Sequence, residues 1–302
     1  MCVPLAGSGS PSYEEQYLCV MDQRAELSEF LRSRRARLKP EDVGLPDFGR
    51  HRRVPGLRRE ELAQLAGVSV AYYTRLEQGN GSNVSMGVLD AIARALRLSD
   101  AERDHLTHLA KPTRKRGRPS RPQRLRPGLQ HLMDAMGGVP AYVLGRRTDI
   151  LGCNRMARAL FGDITALPPE ERNMARLLFL EGDFRGVYVD WELKACEVVS
   201  FLRLEAGCHP DDPLLSALVG ELSVKNEVFR SLWAAHHVKD KGHGSKRLHH
   251  PLVGDLTLAY ETLTLADDPE QHLITFHAEP GSPSQEALQL LANWGTDVEY
   301  VA

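Results

Sequence analysis

A chain of 302 residues, 42% of them apolar, is long enough for about two domains with real cores. The net charge of −2 conceals a split: residues 1–128 hold 23 Lys+Arg against 15 Asp+Glu, net +8, and the remainder holds 15 against 25, net −10. A basic half meets polyanions and an acidic half does not, so nucleic-acid contact is expected of the N-terminal part alone. The five cysteines (Cys2, Cys19, Cys153, Cys196, Cys208) are odd in number and scattered, with no CxxC, which argues against a disulfide framework and a zinc site. No apolar run approaches the ~18 residues of a membrane span, and the N-terminus lacks the charged-then-apolar order of a secretory leader. A cytoplasmic protein with reduced thiols is the expectation.

Residues 1–20 are rich in Gly, Ser and Pro without periodicity, and read as a disordered tail. Met21 stands directly before a helical pattern, so a translation start there is an open expectation that the intact mass of the native protein decides. That helix is expected over about 22–38, with Leu27, Phe30, Leu31 and Leu38 inside and Arg32, Arg34, Arg35 and Arg37 on its polar faces. An insertion over 39–56 follows. Its run Gly49-Arg50-His51-Arg52-Arg53 suits phosphate contact and a plain solvated loop equally well.

The stretch Leu57–Gly79 reads LRREELAQLAGVSVAYYTRLEQG. Leu62, Ala63, Leu65 and Ala66 share one face of a first helix, which Gly67 closes because glycine tolerates the left-handed conformation. Ser69 suits the N-cap of a second helix, where Val70, Tyr73 and Leu76 recur at i, i+3, i+6. Two helices about a short Gly-containing turn make a helix-turn-helix. In such motifs the second helix enters the major groove N-terminus first, so Val70, Ala71 and Tyr72, with Thr74 and Arg75 a turn on, are expected to face base edges. Val70 and Ala71 suit thymine methyls, and Arg75 suits guanine or a phosphate. Ser69 at the cap serves helix and phosphate together, and Arg59 is expected to hold the backbone.

ELAQLAGVS and TRLEQG resemble the helix-turn-helix of phage-repressor-type bacterial regulators. With GLRREE ahead and VSVAYYTRLEQG behind, the stretch is more similar still to the MmyB-like branch. The resemblance implies a five-helix, all-α DNA-binding domain. It also implies that Arg35 pairs with Glu77 and locks the helices together.

Beyond Gly79 a wing-like loop covers 80–84. A fourth helix opens at Ser85, with Val88, Leu89, Ile92, Ala93 and Leu96 as its stripe, and a fifth opens with the capping box Ser99/Glu102. The DNA-binding domain is placed at 21–110. The linker 111–128 carries eight basic residues, no acidic ones and four prolines, so it buries nothing. Within it Arg116-Gly117-Arg118-Pro119 resembles an AT-hook core, whose Arg116 and Arg118 would enter a narrow minor groove; a merely basic linker is the competing reading.

From Leu129 the pattern changes. A helix over 129–136 precedes strands near 141–145 and 149–153; helices follow over 154–161, 169–180, 188–205, 212–222 and 226–236. A hairpin Lys246–Val253 and Leu256–Leu265 about Gly254-Asp255, a strand His272–His277 and a helix Pro283–Trp294 close the chain. Five antiparallel strands with helices inserted after the second describe a PAS-like α+β domain over 129–297. AYVLGRRTDILGCNRMARALFGD, HHPLVGDLTLAYETL and AEPGSPSQEALQLLANW resemble the MmyB-like ligand-binding domain, so the resemblance covers about 25–297.

That resemblance implies a small, lipophilic, fatty-acid-like ligand. Leu177, Leu178, Phe179, Phe184, Tyr188, Trp191, Val198 and Phe201 on the inserted helices are the candidate wall, and Arg185 or Arg203 the candidate partner of a carboxylate head. No phosphate loop, GxSxG or HExxH is present. The histidines His236, His237, His243, His249 and His250 form the competing metal or hydrolase centre, although neighbouring strand residues point to opposite faces. No catalytic residue, metal or cofactor is assigned. The expected function is a DNA-binding transcription regulator, homodimeric on an operator of double-stranded DNA. A tethered hydrolase or metalloenzyme, or a C-terminal domain that only dimerises, are the alternatives.

Overall fold

The computed structural model describes residues 23–45, 56–81, 84–111, 123–236 and 242–297. They pack as two compact units. One is drawn from residues up to Arg97 with Leu106–Thr113 and Ala206–Glu221, the other from Leu98–His105, Arg114–Glu205 and Leu222 onward. The Gly49–Arg53 run, the Arg116–Pro119 tetrapeptide and His237 lie outside the described residues.

The chain opens with five helices: α1 (Gln23–Arg37), α2 (Arg59–Leu65), α3 (Val70–Glu77), α4 (Met86–Ala95) and α5 (Asp100–Ala110). In the first unit α1 packs on α3, and α2 on α3 and α4. Their shared core is Leu27, Phe30, Leu31, Leu62, Ala63, Tyr73, Leu76, Leu89 and Ile92, each at most 2% exposed. Burying each such side chain contributes roughly 1.5–3 kcal/mol, which is why these short helices hold only as a bundle.

Local signals set the helix ends. Gly67 takes φ 67° between α2 and α3, and the Ser69 hydroxyl accepts from the Tyr72 N–H at 3.2 Å. Ser85 caps α4 by accepting from Val88 N–H, and Ser99 and Glu102 close the expected box at 3.3 and 2.9 Å. Gly79 is fixed twice over: its φ is 88°, and a Cβ there would lie 2.5 Å from the Arg24 carbonyl oxygen.

Two expected core positions are corrected. Leu65 is 37% exposed and Val70 46%. The first turn of α3 projects past the partners that bury its second half, and Leu65 lies at the rim of the α2 stripe. A 3-10 turn, Glu41–Val43, also stands in the insertion read as loop.

The second unit holds a five-stranded antiparallel sheet in the order β2-β1-β5-β4-β3, from β1 (Ala141–Leu144), β2 (Ile150–Cys153), β3 (His243–His250), β4 (Gly254–Leu265) and β5 (Asp268–His277). This is the expected α+β fold, with helices inserted between the second and third strands. α6 (Pro127–Ala135) covers one face, where Leu129 and Met133 pack on Ala141, Val143 and Leu273. Tyr142, Leu144, Ile274 and Phe276 face the other way. Both faces are therefore covered at β1 and β5, which explains their continuous apolar runs.

The insertion comprises α7 (Arg155–Phe161), α8 (Met174–Leu180), α9 (Gly182–Arg185), α10 (Trp191–Cys208), α11 (Pro213–Lys225) and α12 (Glu227–Ala234); α13 (Pro283–Asp297) closes the described chain. Two buried asparagines organise the start of it. Asn154 caps α7 through Ala157 N–H (2.9 Å), accepts from Ala141 N–H (3.0 Å), and donates to the carbonyls of Met133 (3.0 Å) and Val139 (2.7 Å). Asn173 caps α8 and donates to Arg147 O and Asp149 Oδ1.

Three elements differ from expectation. The helix expected from 169 starts at Met174, because Asn173 is its cap and bridges to Asp149. Residues 187–189 form a turn that bridges to the edge strand β3 at Tyr188 and Leu248, Val189 N–H donating to Arg247 O at 3.1 Å and His249 N–H to Val187 O at 2.9 Å. The hairpin turn is Pro251–Val253, with Gly254 (φ 75°) already opposite His250. Among the described residues no helix is long and apolar enough to cross a membrane.

Candidate functional site

In the first unit the outward surface of the helix-turn-helix is built on one buried carboxylate. Glu77, 1% exposed at the end of α3, takes Arg35 in a two-pronged pair, Nη2–Oε1 at 2.6 Å and Nε–Oε2 at 3.3 Å. Arg35 Nη1 also donates to Leu57 O at 2.6 Å, tying α1 to the chain entering α2. This is the pair that the resemblance implied. Arg59 adds a third contact, Nε to Glu77 Oε2 at 3.0 Å, with 45% of its side chain exposed. Its guanidinium is thus held at the N-terminal end of α2 by the carboxylate of α3. A cation held in this way is pre-positioned for an anion, since less rotamer freedom is lost on contact.

The opposite face of α3 is open. Ser69, Val70, Ala71 and Arg75 are exposed, Tyr72 and Thr74 half-buried, while Tyr73 and Leu76 face the core. The expected base-facing set thus shares the N-terminal and outer surface of one helix, with Arg59 nearby through Glu77. Arg116 and Arg118 lie outside the described residues.

In the second unit a cavity of about 490 Å³, its open mouth included, lies between the sheet and α10. Tyr142 and Leu144 of β1, Lys194, Glu197 and Val198 of α10, Lys246 of β3, Tyr260 and Thr262 of β4, and Ile274 and Phe276 of β5 line it. Glu197 pairs with Lys246, and the Lys246 ammonium also lies 4.9 Å from the Tyr260 ring centre. Lys194 is 9% exposed, its amine 5.1 Å from the Tyr188 ring centre. Burial above all, and then Lys246, lowers its pKa to about 8, against the opposing pull of Glu197. Burial pushes the phenols of Tyr142 and Tyr188 up.

Of the expected wall residues only Val198 lines this cavity, and neither Arg185 nor Arg203 does. Tyr188 and Phe184 stack beside it, Tyr188 against Phe161, which in turn touches Tyr142 and Phe276. Trp191 packs with Phe179 and donates to Leu178 O at 3.4 Å, and Arg185 lies 3.8 Å over its ring. Phe201 meets the ring of His272. Arg203 is buried against His236 and the Trp233 carbonyl.

The residues missed were Lys194, Glu197 and Lys246. A signal existed for each lysine. Lys194 sits at i+3 from Trp191, i−4 from Val198 and i−7 from Phe201, inside an apolar stripe. Lys246 alternates with Leu248 and His250 on the inward face of β3, where all three are buried.

The histidines disperse. His249 is exposed and pairs with Asp255 at 2.6 Å, His250 is buried on the Ala159 carbonyl at 3.0 Å, and His236 meets Arg203. Among the described residues no cluster of three metal-ligating side chains occurs.

Comparison with known families agrees with this geometry. A model described as an MmyB-like transcription regulator ligand binding domain matches residues 125–291, more than half the chain. A model described as a helix-turn-helix domain matches residues 26–106. No curated protein matches.

Proposed function

The chain belongs to the MmyB-like transcription regulators, DNA-binding proteins with a ligand-binding domain, and on that premise we propose how each part acts. The DNA-binding domain spans 21–110, a basic linker 111–128 and the sensing domain 129–297. Two copies associate, because one helix-turn-helix covers one half-site and a dimer reaches two about 34 Å apart. Val70, Ala71, Tyr72, Thr74 and Arg75 read the bases, Ser69 and Arg59 hold phosphates, and Arg116 and Arg118 add minor-groove contact.

The sensing domain takes a small lipophilic, fatty-acid-like molecule in the cavity between α10 and the sheet. The observation that carries this is the cavity itself, with apolar walls and a few convergent polar groups. The chain works in the cytoplasm, where its operator is.

Selection of duplexes from a randomised pool by the purified chain, repeated with medium- and long-chain fatty acids, tests the reading. A near-palindromic operator whose affinity changes with one of the acids is the expected outcome. A single non-repeated half-site overturns the dimer. Failure of every acid to bind, with no lipophilic compound extractable from the native protein, overturns the ligand class.

A further inference from the structure

The cavity wall carries two ammonium groups and one carboxylate. Glu197 is committed to Lys246. Lys194, three residues earlier on α10, is nine-tenths buried at the same cavity, and no described residue forms a hydrogen bond or ion pair with its amine. One positive charge there is uncompensated, and a buried cation without a counter-charge is strongly disfavoured.

Resting on the reading of this cavity as the ligand site, we infer that Lys194 anchors an anionic head group, so that the domain selects amphiphiles bearing one carboxylate over neutral or cationic ones of equal length. A single carboxylate restores the balance that Lys194 and Lys246 leave against Glu197. A neutral head leaves the excess charge in place, and a cationic head adds a third ammonium, so discrimination comes from repulsion as well as attraction. Leu144, Val198, Ile274 and Phe276 offer the tail an apolar wall.

The protonation of Lys194 follows the same logic. The groups that face it are Glu197 on its own helix, Lys246 on β3, Tyr260 on β4, Tyr142 on β1 and Tyr188 at the bridge to β3. Burial and Lys246 lower its pKa, and a ligand carboxylate raises it again. Carboxylate affinity is therefore level from about pH 6 to about pH 8 and declines above it, whereas the affinity of an alcohol is not tied to this proton.

The test is calorimetry on the full chain with decanoate, 1-decanol and decyltrimethylammonium at neutral pH. Decanoate binds about tenfold or more tighter than decanol, the gain of one charged hydrogen bond, and the ammonium amphiphile does not bind. Lys194→Met brings decanoate and decanol to within about threefold, and Lys194→Arg keeps the preference. Equal binding of decanoate and decanol to the unaltered chain overturns the inference, as does a preference that survives in Lys194→Met, while the cavity reading stands in both cases. If none of the three binds, the cavity reading falls and the inference with it. Should Lys194→Met fail to fold, the decanoate-to-decanol ratio and its decline above about pH 8 in the unaltered chain decide alone.

Discussion

Glu77 and Lys194 show two ways of burying a charge. Glu77 is fully buried but meets Arg35 through two contacts and Arg59 through a third, so its desolvation is offset by strong, oriented partners. Glu77→Gln leaves Arg35 buried without its counter-charge, and we expect a loss of about 3–5 kcal/mol, read from the urea midpoint of the DNA-binding part. Lys194 is the reverse case. Its pKa falls from 10.5 to about 8, equivalent to about 3 kcal/mol of disfavoured charge. The folded-state value is the lower one, so the penalty is present in full below about pH 8. It is lifted as pH rises from there through 10.5, because the unfolded chain then binds the extra proton. Lys194→Met removes it at every pH. The variant should unfold at higher urea by up to about 3 kcal/mol at neutral pH, and the difference should shrink towards pH 10. Trp191 and Trp233 report this transition. A variant less stable than its parent at neutral pH would refute the account.

The recognition element is one short helix with two duties. The inner side of α3, Tyr73, Leu76 and Glu77, is spent on the fold, and its outer side is left open for the base contacts proposed above. Tyr72→Ala should relax preference at particular operator positions by about 1–3 kcal/mol, and Arg59→Ala should weaken all sequences nearly alike. Because Arg59 also shares Glu77, its loss should cost some stability as well, which a thermal melt separates from binding. Selections on randomised operators compare the two; an unchanged preference in Tyr72→Ala places base reading elsewhere. On the sensing side Asn154 joins α6, β1 and α7 through four bonds to backbone groups. Asn154→Ala abandons these buried groups and a cap together, and should cost about 3 kcal/mol by urea unfolding.

The opposed charge of the two parts governs how the chain meets DNA. If residues 22–128 neutralise about six to ten phosphates, affinity falls steeply between low and moderate salt. Deleting Arg114–Arg118 from the full chain should then flatten the dependence by several units in the logarithmic slope. An unchanged slope would show that this run does not touch DNA. The acidic remainder, net −10, is expected to contribute no phosphate contact.

Signals confined to a few neighbouring residues were legible in the chain. Gly67, Ser69 and the Ser99/Glu102 box act within one helical turn, so the helix-turn-helix could be read from local chemistry, and the Arg35–Glu77 pair followed from the resemblance that this chemistry carries. The short apolar runs of β1 and β2 about a polar turn, and the Gly254-Asp255 signal beside β4, disclosed the strands for the same reason. The hairpin turn slipped to Pro251–Val253 because the Gly254-Asp255 signal competes with pairing opposite His250. What depended on distant partners was decided only in three dimensions. Trp191 and Phe201 sit at helical spacing, and only packing shows that they meet Phe179 and His272 and leave the cavity wall to others. Lys194, Glu197 and Lys246 stand up to 52 residues apart in the chain and are charged, so an apolar pattern passes over them. Whether a charge inside an apolar stripe points to water or into a cavity depends on the strand laid against it, and that strand comes from the far end of the domain.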